Sequence, residues 1–434
     1  MTAALSRSPL FLAYRAATLL LEHGAKSFLR WRTKHGKEDP DRLRERLGHA
    51  NRPRPEGALA WVHGASVGEG LALLPFIEQL AARGFHILLT TGTVTSSRVL
   101  ATRIPDTIIH QFAPLDGPRI AQRFLGYWRP DLICFAESEL WPNILGQAER
   151  QGIPLVLVNA RMSQRSFARW KMMAGLIAPL LQAFDLILAQ TDEDASRFTH
   201  LGARKVQQTG NLKFDVPPPP ADPTELAGLS AALHRRPVWV AASTHMGEDE
   251  ICCAVHRRVK AHLPCLLTII VPRRADRGSG LADHAAALGL TASLRSRQQT
   301  IEPNTDIYIA DTMGELGLFF RVANTVFVGK SLLENGGGQN PIEPAKLGNA
   351  IVHGPHVANF AAVYATFDRL QGGISVQGEV DLAETLSALL SDHARLEHVA
   401  GRAAQAVEEC AGATARTMQA IESIYTAALE RSAA

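Results

Sequence analysis

No cysteine in this chain stands in a disulfide or metal-binding pattern. The five present, Cys134, Cys252, Cys253, Cys265 and Cys410, form no Cys-x-x-Cys or Cys/His spacing, and their number is odd. A disulfide scaffold and a structural zinc are therefore not expected, and a reducing compartment is the simplest setting. A membrane-spanning run is also lacking. The apolar stretch "PLFLAYRAATLLL" is interrupted by Arg15 and is shorter than the roughly 20 residues a spanning helix needs. It has no convincing cleavage site of a signal peptide. Finally, the formal net charge is only +3, so the chain is not a broadly basic protein and a nucleic acid is not an expected partner.

The small excess of positive charge is concentrated. Residues 1–54 hold twelve Lys/Arg against five Asp/Glu. The apolar stretch 9–21 is followed by Lys26, Arg30, Arg32, Lys34 and Lys37. This combination fits a helix lying in a membrane interface, where each basic residue adds about 1 kcal/mol near anionic lipid. The alternative is an amphipathic helix packed on the domain that follows.

With 434 residues and 46% hydrophobic composition, the chain has enough apolar material for two cores. From residue 58 onward, short apolar runs alternate with helical patterns. "LAWVHG", "HILLTTGT", "DLICFAES", "PLVLVNA", "DLILAQT" and "VQQTGN" each close on Gly, Ser, Thr, Asn or another small residue. This is the rhythm of parallel strands joined by crossover helices. It breaks at four consecutive prolines, Pro217–Pro220, which favour an extended, semi-rigid connector. It resumes with "PVWVAAST", "LLTIIVPRR", "DIYIADT", "NTVFVGKS" and "NAIVHGP", and the Ala-rich residues 392–434 read as helices. The expected fold is α/β, with two doubly wound domains whose strand carboxyl ends, and hence ligand sites, face one cleft.

Several strand-end residues are chemically suggestive. In "WVHGASVGEG", Glu69 follows a tight turn of small residues, where a carboxylate can accept a proton from an attacking hydroxyl. An acidic residue in the first helical turn, favoured by the helix dipole, explains it equally well. Thr91-Gly92-Thr93 could offer backbone N–H groups to a phosphate, or form an ordinary turn. "FAESELWPN" places Glu137 and Glu139 two apart, either on one face of an extended segment or on a solvated loop ahead of Trp141-Pro142. Lys213, beside the Pro-rich connector, could steady developing negative charge or simply face solvent.

The second half carries the stronger signals. "VPRR" ends a strand with Arg273 and Arg274, suited to phosphate. "DTMGELGLFF" passes from strand to helix at Met313-Gly314-Glu315, where backbone can meet a nucleotide. "ENGGGQNPIEPAKLGNAIVHGP" sets three glycines, Asn340 and Glu343 before another strand. Glycine permits close backbone approach, a helix starting near Pro341 would present its positive end, and Glu343 could bond ribose hydroxyls. A Gly-rich surface loop is the alternative. "GKS" at 329–331 lacks the upstream glycine of a phosphate-binding loop. "DPD" at 39–41 lies in the basic opening segment rather than after a strand, and no divalent-metal carboxylate pair stands out elsewhere.

In order along the chain, "GKEDPDRLRERLG", "HGASVGE", "ESELWPN", "NARMSQRS", "GNLKFD", "ASTHMGEDE", "VPRR", "DTMGEL" and "GGGQNPIEPA" together resemble the 3-deoxy-D-manno-octulosonic acid (Kdo) transferases, which attach Kdo to the lipid A precursor. The resemblance covers about residues 36–360. It implies a GT-B glycosyltransferase: a membrane-associating segment over 1–50, an acceptor domain over 51–215, a linker over 216–224, a donor domain over 225–410 and a C-terminal helix, 411–434, returning to the first domain. It further implies CMP-Kdo as donor and a tetraacyl lipid A precursor as acceptor, with inversion, no metal and no cofactor, at the cytoplasmic face of the inner membrane. By the same resemblance Glu69 matches the catalytic base, while Glu137 and Lys213 match residues that stabilise the transition state. Pro272, Arg273, Met313, Gly314, Glu315, Asn340, Pro341, Ile342 and Glu343 match the stretches that bind CMP. Glu139 takes a supporting role. Three positions depart from the usual pattern: Gln339 where His is common, Arg274 where His often follows "PR", and Lys330 where a second Gly is frequent. Another GT-B enzyme such as a nucleotide-sugar epimerase, or a non-catalytic nucleotide-sugar binder, would share much of this outline.

Overall fold

A computed structural model describes residues 5–233 and 236–433. The chain divides into two compact units, the first built from residues up to Val216 together with those from Ala411 onward, the second from Pro217–Cys410. In the first unit the strands are β1 Leu59–His63, β2 His86–Thr91, β3 Ile109–Phe112, β4 Leu132–Ala136, β5 Leu155–Ala160, β6 Leu186–Ala189 and β7 Val206–Gln208. They form one parallel sheet in the order β3-β2-β1-β4-β5-β6-β7. Strands β1, β4 and β5 are buried along their whole length, as expected where crossover helices cover both faces of a parallel sheet.

The second unit repeats the plan. Its strands are β8 Val238–Thr244, β9 Leu267–Pro272, β10 Ala292–Leu294, β11 Ile307–Ile309, β12 Thr325–Val328, β13 Ala350–His353 and β14 Gly373–Ser375. They too run parallel, in the order β10-β11-β9-β8-β12-β13-β14. Two doubly wound sheets of this kind are the α/β class expected from the alternating runs. The strand order reverses beside β1 and β4 in the first sheet, and beside β8 and β12 in the second. Such switch points are where open α/β sheets bind ligands.

Both ends of the chain belong to the first unit. Leu5 and Phe11 are buried in its core with Trp61, Phe124 and Trp128. The helix Pro9–Leu21 is thus a packed element along one face, held further by Ser8 Oγ donating to the Gly175 carbonyl at 2.7 Å. It also leaves Leu10, Leu12, Leu20 and Leu21 exposed, and the next helix, Ala25–Lys34, exposes Phe28 and Trp31. The packed-helix reading of this segment holds for its buried face, with apolar residues left exposed on the other. Among the described residues no helix is long and apolar enough to cross a membrane. The charged motif after it is a structural latch. Arg46 pairs with Glu38 at 2.8 Å and donates to the Ala113 carbonyl at 3.0 Å, while Glu45 accepts from the Phe112 N–H at 2.6 Å. Such a buried network is costly to break by removing one partner.

At the other end, Asp215 accepts from the N–H groups of Gly412, at 2.7 Å, and Thr414. The helices Ala413–Ala420 and Glu422–Ala433, with Ile421 between them, then place Met418, Ile421 and Tyr425 in the core with Phe76 and Ile77. The helix Pro223–Leu233 begins inside the stretch read from the sequence as linker.

Candidate active site

In the first unit β1 ends at His63, and the turn Gly64-Ala65-Ser66 leads into the helix Val67–Ala81, with Ser66 as its N-cap. Gly64 suits the close approach there, because a Cβ would sit 2.9 Å from a Leu73 methyl and 3.1 Å from the Gly70 nitrogen. The Glu69 carboxylate folds back on this turn. Oε2 accepts from the Ala65 N–H at 2.8 Å and Oε1 from the Ser66 hydroxyl at 2.7 Å, while the Ser66 oxygen accepts from the Glu69 N–H at 3.3 Å. Glu69 thus stands in the first helical turn, as the helix-dipole alternative holds, and its carboxylate also fastens the turn before the helix. It is also electrostatically poised: burial, and then the negative charge of Glu137, raise its pKa above the ordinary carboxylate range despite the bonds from Ser66 and Ala65. A carboxylate of raised basicity is what proton acceptance near neutral pH requires.

Glu137 follows β4 with φ +54°, a left-handed conformation uncommon for a non-glycine residue. Its Oε1 accepts from Lys213 Nζ at 2.8 Å. Lys213 lies in a short 3-10 turn that Asn211 and Asn159 fasten, accepting from the N–H groups of Lys213 and Leu212 at 3.0 Å each. Glu69, Glu137 and Lys213 are therefore gathered at the strand ends flanking the first switch point. Glu139 is fixed otherwise. Its Oε2 accepts from Trp141 Nε1 at 2.6 Å and lies 3.7 Å from His63 Nε2. Burial tends to raise its pKa, but His63 and the Trp141 hydrogen bond outweigh burial and hold it low.

His63 was not legible as a site residue. It is fully buried, its Nδ1 lies 2.9 Å from Thr90 Oγ1, and its Nε2 makes no hydrogen bond. Its only signal in sequence is its place as the last residue of a strand. The Thr91-Gly92-Thr93 turn resolves toward ordinary turn chemistry. The Gly92 N–H is spent on the Ala65 carbonyl at 3.0 Å, and Thr93 caps its own helix.

In the second unit the nine remaining candidates lie at or beyond the carboxyl ends of β9 and β11 and in the segment before β13, where Ile342 and Glu343 open the short helix Ile342–Lys346. Pro272 is buried as the last residue of β9. Arg273 is exposed, with its N–H bonded to the Thr244 carbonyl at 2.9 Å. Arg274 instead pairs with Asp276 at the surface. Met313 is 62% exposed, Gly314 has φ +88°, and Glu315 immediately precedes the helix Leu316–Val322 without a side-chain capping bond. The Glu315 carboxylate is taken up by Arg295 and Thr312, and chiefly the Arg295 bond lowers its pKa. What this stretch offers a ligand is its backbone. Asn340 Nδ2 donates to Glu343 Oε1 at 3.1 Å and Asn340 Oδ1 accepts from the Ile342 N–H at 3.1 Å, so Asn340, Pro341, Ile342 and Glu343 act as one folded unit.

Sequence reasoning also passed over the organiser of this second site. Glu248, 1% exposed in the first turn after β8, accepts from the N–H groups of His245 at 3.0 Å, Lys330 at 2.6 Å, Ser331 at 2.8 Å and Leu332 at 2.9 Å. It ties the end of β8 to the end of β12, the two strands at the second switch point. Lys330 bends there with φ +56°. Gln339 Nε2 lies 3.3 Å from His245 Nε2. Burial, and then Lys330, lower the pKa of that imidazole. Among the described residues no group of three or more His, Cys, Asp or Glu side chains is placed to hold a metal ion.

The family model described as 3-deoxy-D-manno-octulosonic-acid transferase (kdotransferase) matches residues 41–216. The chain is 34% identical over 391 residues to the 3-deoxy-D-manno-octulosonic acid transferase of Haemophilus influenzae, covering 88% of this chain and 91% of the relative. It is 32% identical over 357 residues to the corresponding transferase of Rickettsia bellii, covering 82% and 85%. The chain belongs to the Kdo transferase family. It is a glycosyltransferase. Among solved structures, the UDP-GlcNAc 2-epimerase of Neisseria meningitidis bound to UDP-GlcNAc is similar with TM-score 0.54 at 12% identity, covering 82% of this chain and 99% of that one. That likeness shows the fold, the GT-B architecture. In this Kdo transferase Glu69, Glu137 and Lys213 belong to the first unit and the nine other candidates to the second.

Proposed function

We propose that this Kdo transferase moves Kdo from CMP-Kdo to a tetraacyl lipid A precursor in lipopolysaccharide core biosynthesis, inverting the anomeric centre, with Glu69 as general base. The observation that carries the reading is the raised basicity of Glu69 beside the Glu137–Lys213 pair. The acceptor hydroxyl passes its proton to a Glu69 carboxylate oxygen as its own oxygen bonds the anomeric carbon. The bond from that carbon to the phosphate oxygen breaks, and its electron pair leaves with CMP. Lys213, steadied by Glu137, and Arg273 balance the developing charge, so the reading assigns no metal and no cofactor. Pro272 and Arg273 take the phosphate, the backbone of Met313-Gly314-Glu315 meets the nucleotide, and Asn340, Pro341, Ile342 and Glu343 hold the ribose.

The test is release of CMP from CMP-Kdo with and without lipid acceptor. Release that depends on the acceptor is expected. The fold is shared with an epimerase, and conversion of a nucleotide sugar without any acceptor would favour that second reading. For the donor residues, Arg273→Ala and Glu343→Ala should each weaken CMP binding by about 1.5–3 kcal/mol, the worth of a hydrogen bond to a charged group. Calorimetric titrations matching wild type in both variants would remove CMP from this site.

The acceptor's acyl chains remain in a bilayer, so the reading includes attachment to the cytoplasmic face of the inner membrane. Its support is the exposed Leu20, Leu21, Phe28 and Trp31 on helices that also expose Lys26, Arg30 and Lys34. Because Leu5 and Phe11 are core residues, deleting the segment would damage the domain, and point changes are the cleaner probe. The double variant Leu20→Glu, Trp31→Glu should leave anionic vesicles while titrating CMP normally. Wild-type attachment should weaken with salt, since charge attraction is screened over about 8 Å at physiological ionic strength. If the double variant sediments with vesicles as fully as wild type, attachment lies elsewhere.

A further inference from the structure

Two adjoining cavities in the first unit have opposite character. One, of about 380 Å³, is lined by Leu21, Ala25 and Phe28 of the N-terminal helices, and by Leu115 and Ile120 on the domain side. The other, of about 440 Å³, is lined by Lys26, His49, Arg119 and Arg123. Both volumes fall within the roughly 300–1,000 Å³ of ordinary ligand pockets. Glu22 and Ile120 line both, so the cavities share a wall.

The acidic groups among the lining residues are already committed. Glu22 Oε1 accepts from the N–H groups of Arg119 at 2.8 Å and Ile120 at 3.2 Å, and a side chain at Gly117 would collide with it. Asp116 accepts from the Tyr14 hydroxyl at 3.0 Å and the N–H groups of Asn143 and Ile144 at 3.1 and 3.0 Å. The basic residues Lys26, Arg119 and Arg123 are exposed, and Arg123 gives one guanidinium N–H to the Leu47 carbonyl at 2.5 Å while its other N–H groups are available to a ligand. Their field is felt locally, because burial and then Arg123, Arg44 and Lys26 lower the pKa of His49. An apolar cavity beside a cationic one is complementary to a single molecule bearing an acyl chain next to a phosphate.

We infer that the two cavities form one subsite for a phosphorylated, acylated part of the acceptor, the phosphate against Lys26, Arg119 and Arg123 and the chain against Leu21, Phe28 and Ile120. The inference rests on the reading of a lipid acceptor and adds where this chain grips it. It makes part of the surface near the membrane a selective site rather than a general adhesive.

The test uses the full chain and monododecyl phosphate below its micellar concentration, compared by calorimetry with inorganic phosphate and dodecyl maltoside. Wild type should bind the phosphate ester about tenfold or more tightly than either comparator. Gly24→Phe adds bulk at the apolar cavity, which Gly24 lines and where a Cβ meets nothing within 4 Å. This variant should bind the ester no better than inorganic phosphate. Lys26→Glu with Arg119→Glu should bind it no better than the maltoside. Unaltered thermal melting and CMP titration would show that the variants are folded. Equal binding of the ester by wild type and variants, or wild-type binding no tighter than either comparator, overturns the subsite.

The source of the ligand is read separately. Gly24→Phe should raise KM for the tetraacyl acceptor and leave KM for its deacylated form and vesicle attachment unchanged. Loss of vesicle attachment with KM unchanged would assign the cavities to bulk lipid and overturn the inference. Wild-type transfer to lipid without the binding pattern sinks the subsite alone. The binding pattern without any transfer sinks the proposed function and leaves a site for anionic amphiphiles.

Discussion

Glu69→Gln should lower kcat by roughly 10²–10⁴, the usual contribution of a general base, while CMP affinity stays at the wild-type value. Glutamine keeps the size of the side chain and an oxygen to accept from Ala65 N–H, so the turn and the helix start are preserved and the lost property is proton acceptance. The pH dependence separates the two roles further. The base works ionised, and burial with the nearby Glu137 raises the pKa of Glu69. In wild type kcat should therefore rise with pH through a midpoint above the ordinary carboxylate value, and in Glu69→Gln that limb should vanish. A variant that turns over within a few-fold of wild type would leave Glu69 as a fastener of the turn alone.

The second large effect belongs to Glu248. Its carboxylate satisfies four backbone N–H groups across the second switch point. Two of these donors, on Ser331 and Leu332, are buried, and a buried donor left without a partner costs about 1–3 kcal/mol, so Glu248→Ala should destabilise the second unit by about 2–6 kcal/mol. Because Lys330 and Gln339 are fastened in the same region, CMP binding should weaken as well. Glu248→Gln should fall between the two, since its amide oxygen still accepts but its NH₂ group faces donors. Urea unfolding of the full chain measures the loss. A destabilisation below about 1 kcal/mol would mean that water or another group replaces the carboxylate.

Most central strands were legible because a parallel sheet covered on both faces demands continuous apolar runs, and "LAWVHG" or "LLTIIVPRR" satisfy no other simple pattern. The strands that escaped, β3, β10 and β14, all lie at sheet edges. Each spans three or four residues, and His110 and Gln111 interrupt β3. Edge strands bury less, so sequence carries a weaker imprint of them. The candidate site divides on the same physical line. Glu69 and Glu137 announce themselves by following apolar runs at strand ends, and Arg273 does so in the second half. Residues whose role depends on distant partners do not. Glu248 works through N–H groups 82 to 84 positions away, and the Lys213–Glu137 bond spans 76 positions. His63 reads as an ordinary strand residue until Glu139 and Trp141 are seen beside it.

The acceptor and the stereochemistry remain the decisive chemical content of the account, and one measurement reaches both. The full chain is incubated with CMP-Kdo and a tetraacyl lipid A precursor in detergent, and the lipid is analysed by mass spectrometry with NMR of the new linkage. The account predicts a lipid carrying added Kdo, with its anomeric configuration opposite to that in the donor, and about a hundredth of it or less in Glu69→Gln over the same interval. An unmodified lipid, or a product retaining the donor's configuration, would contradict it.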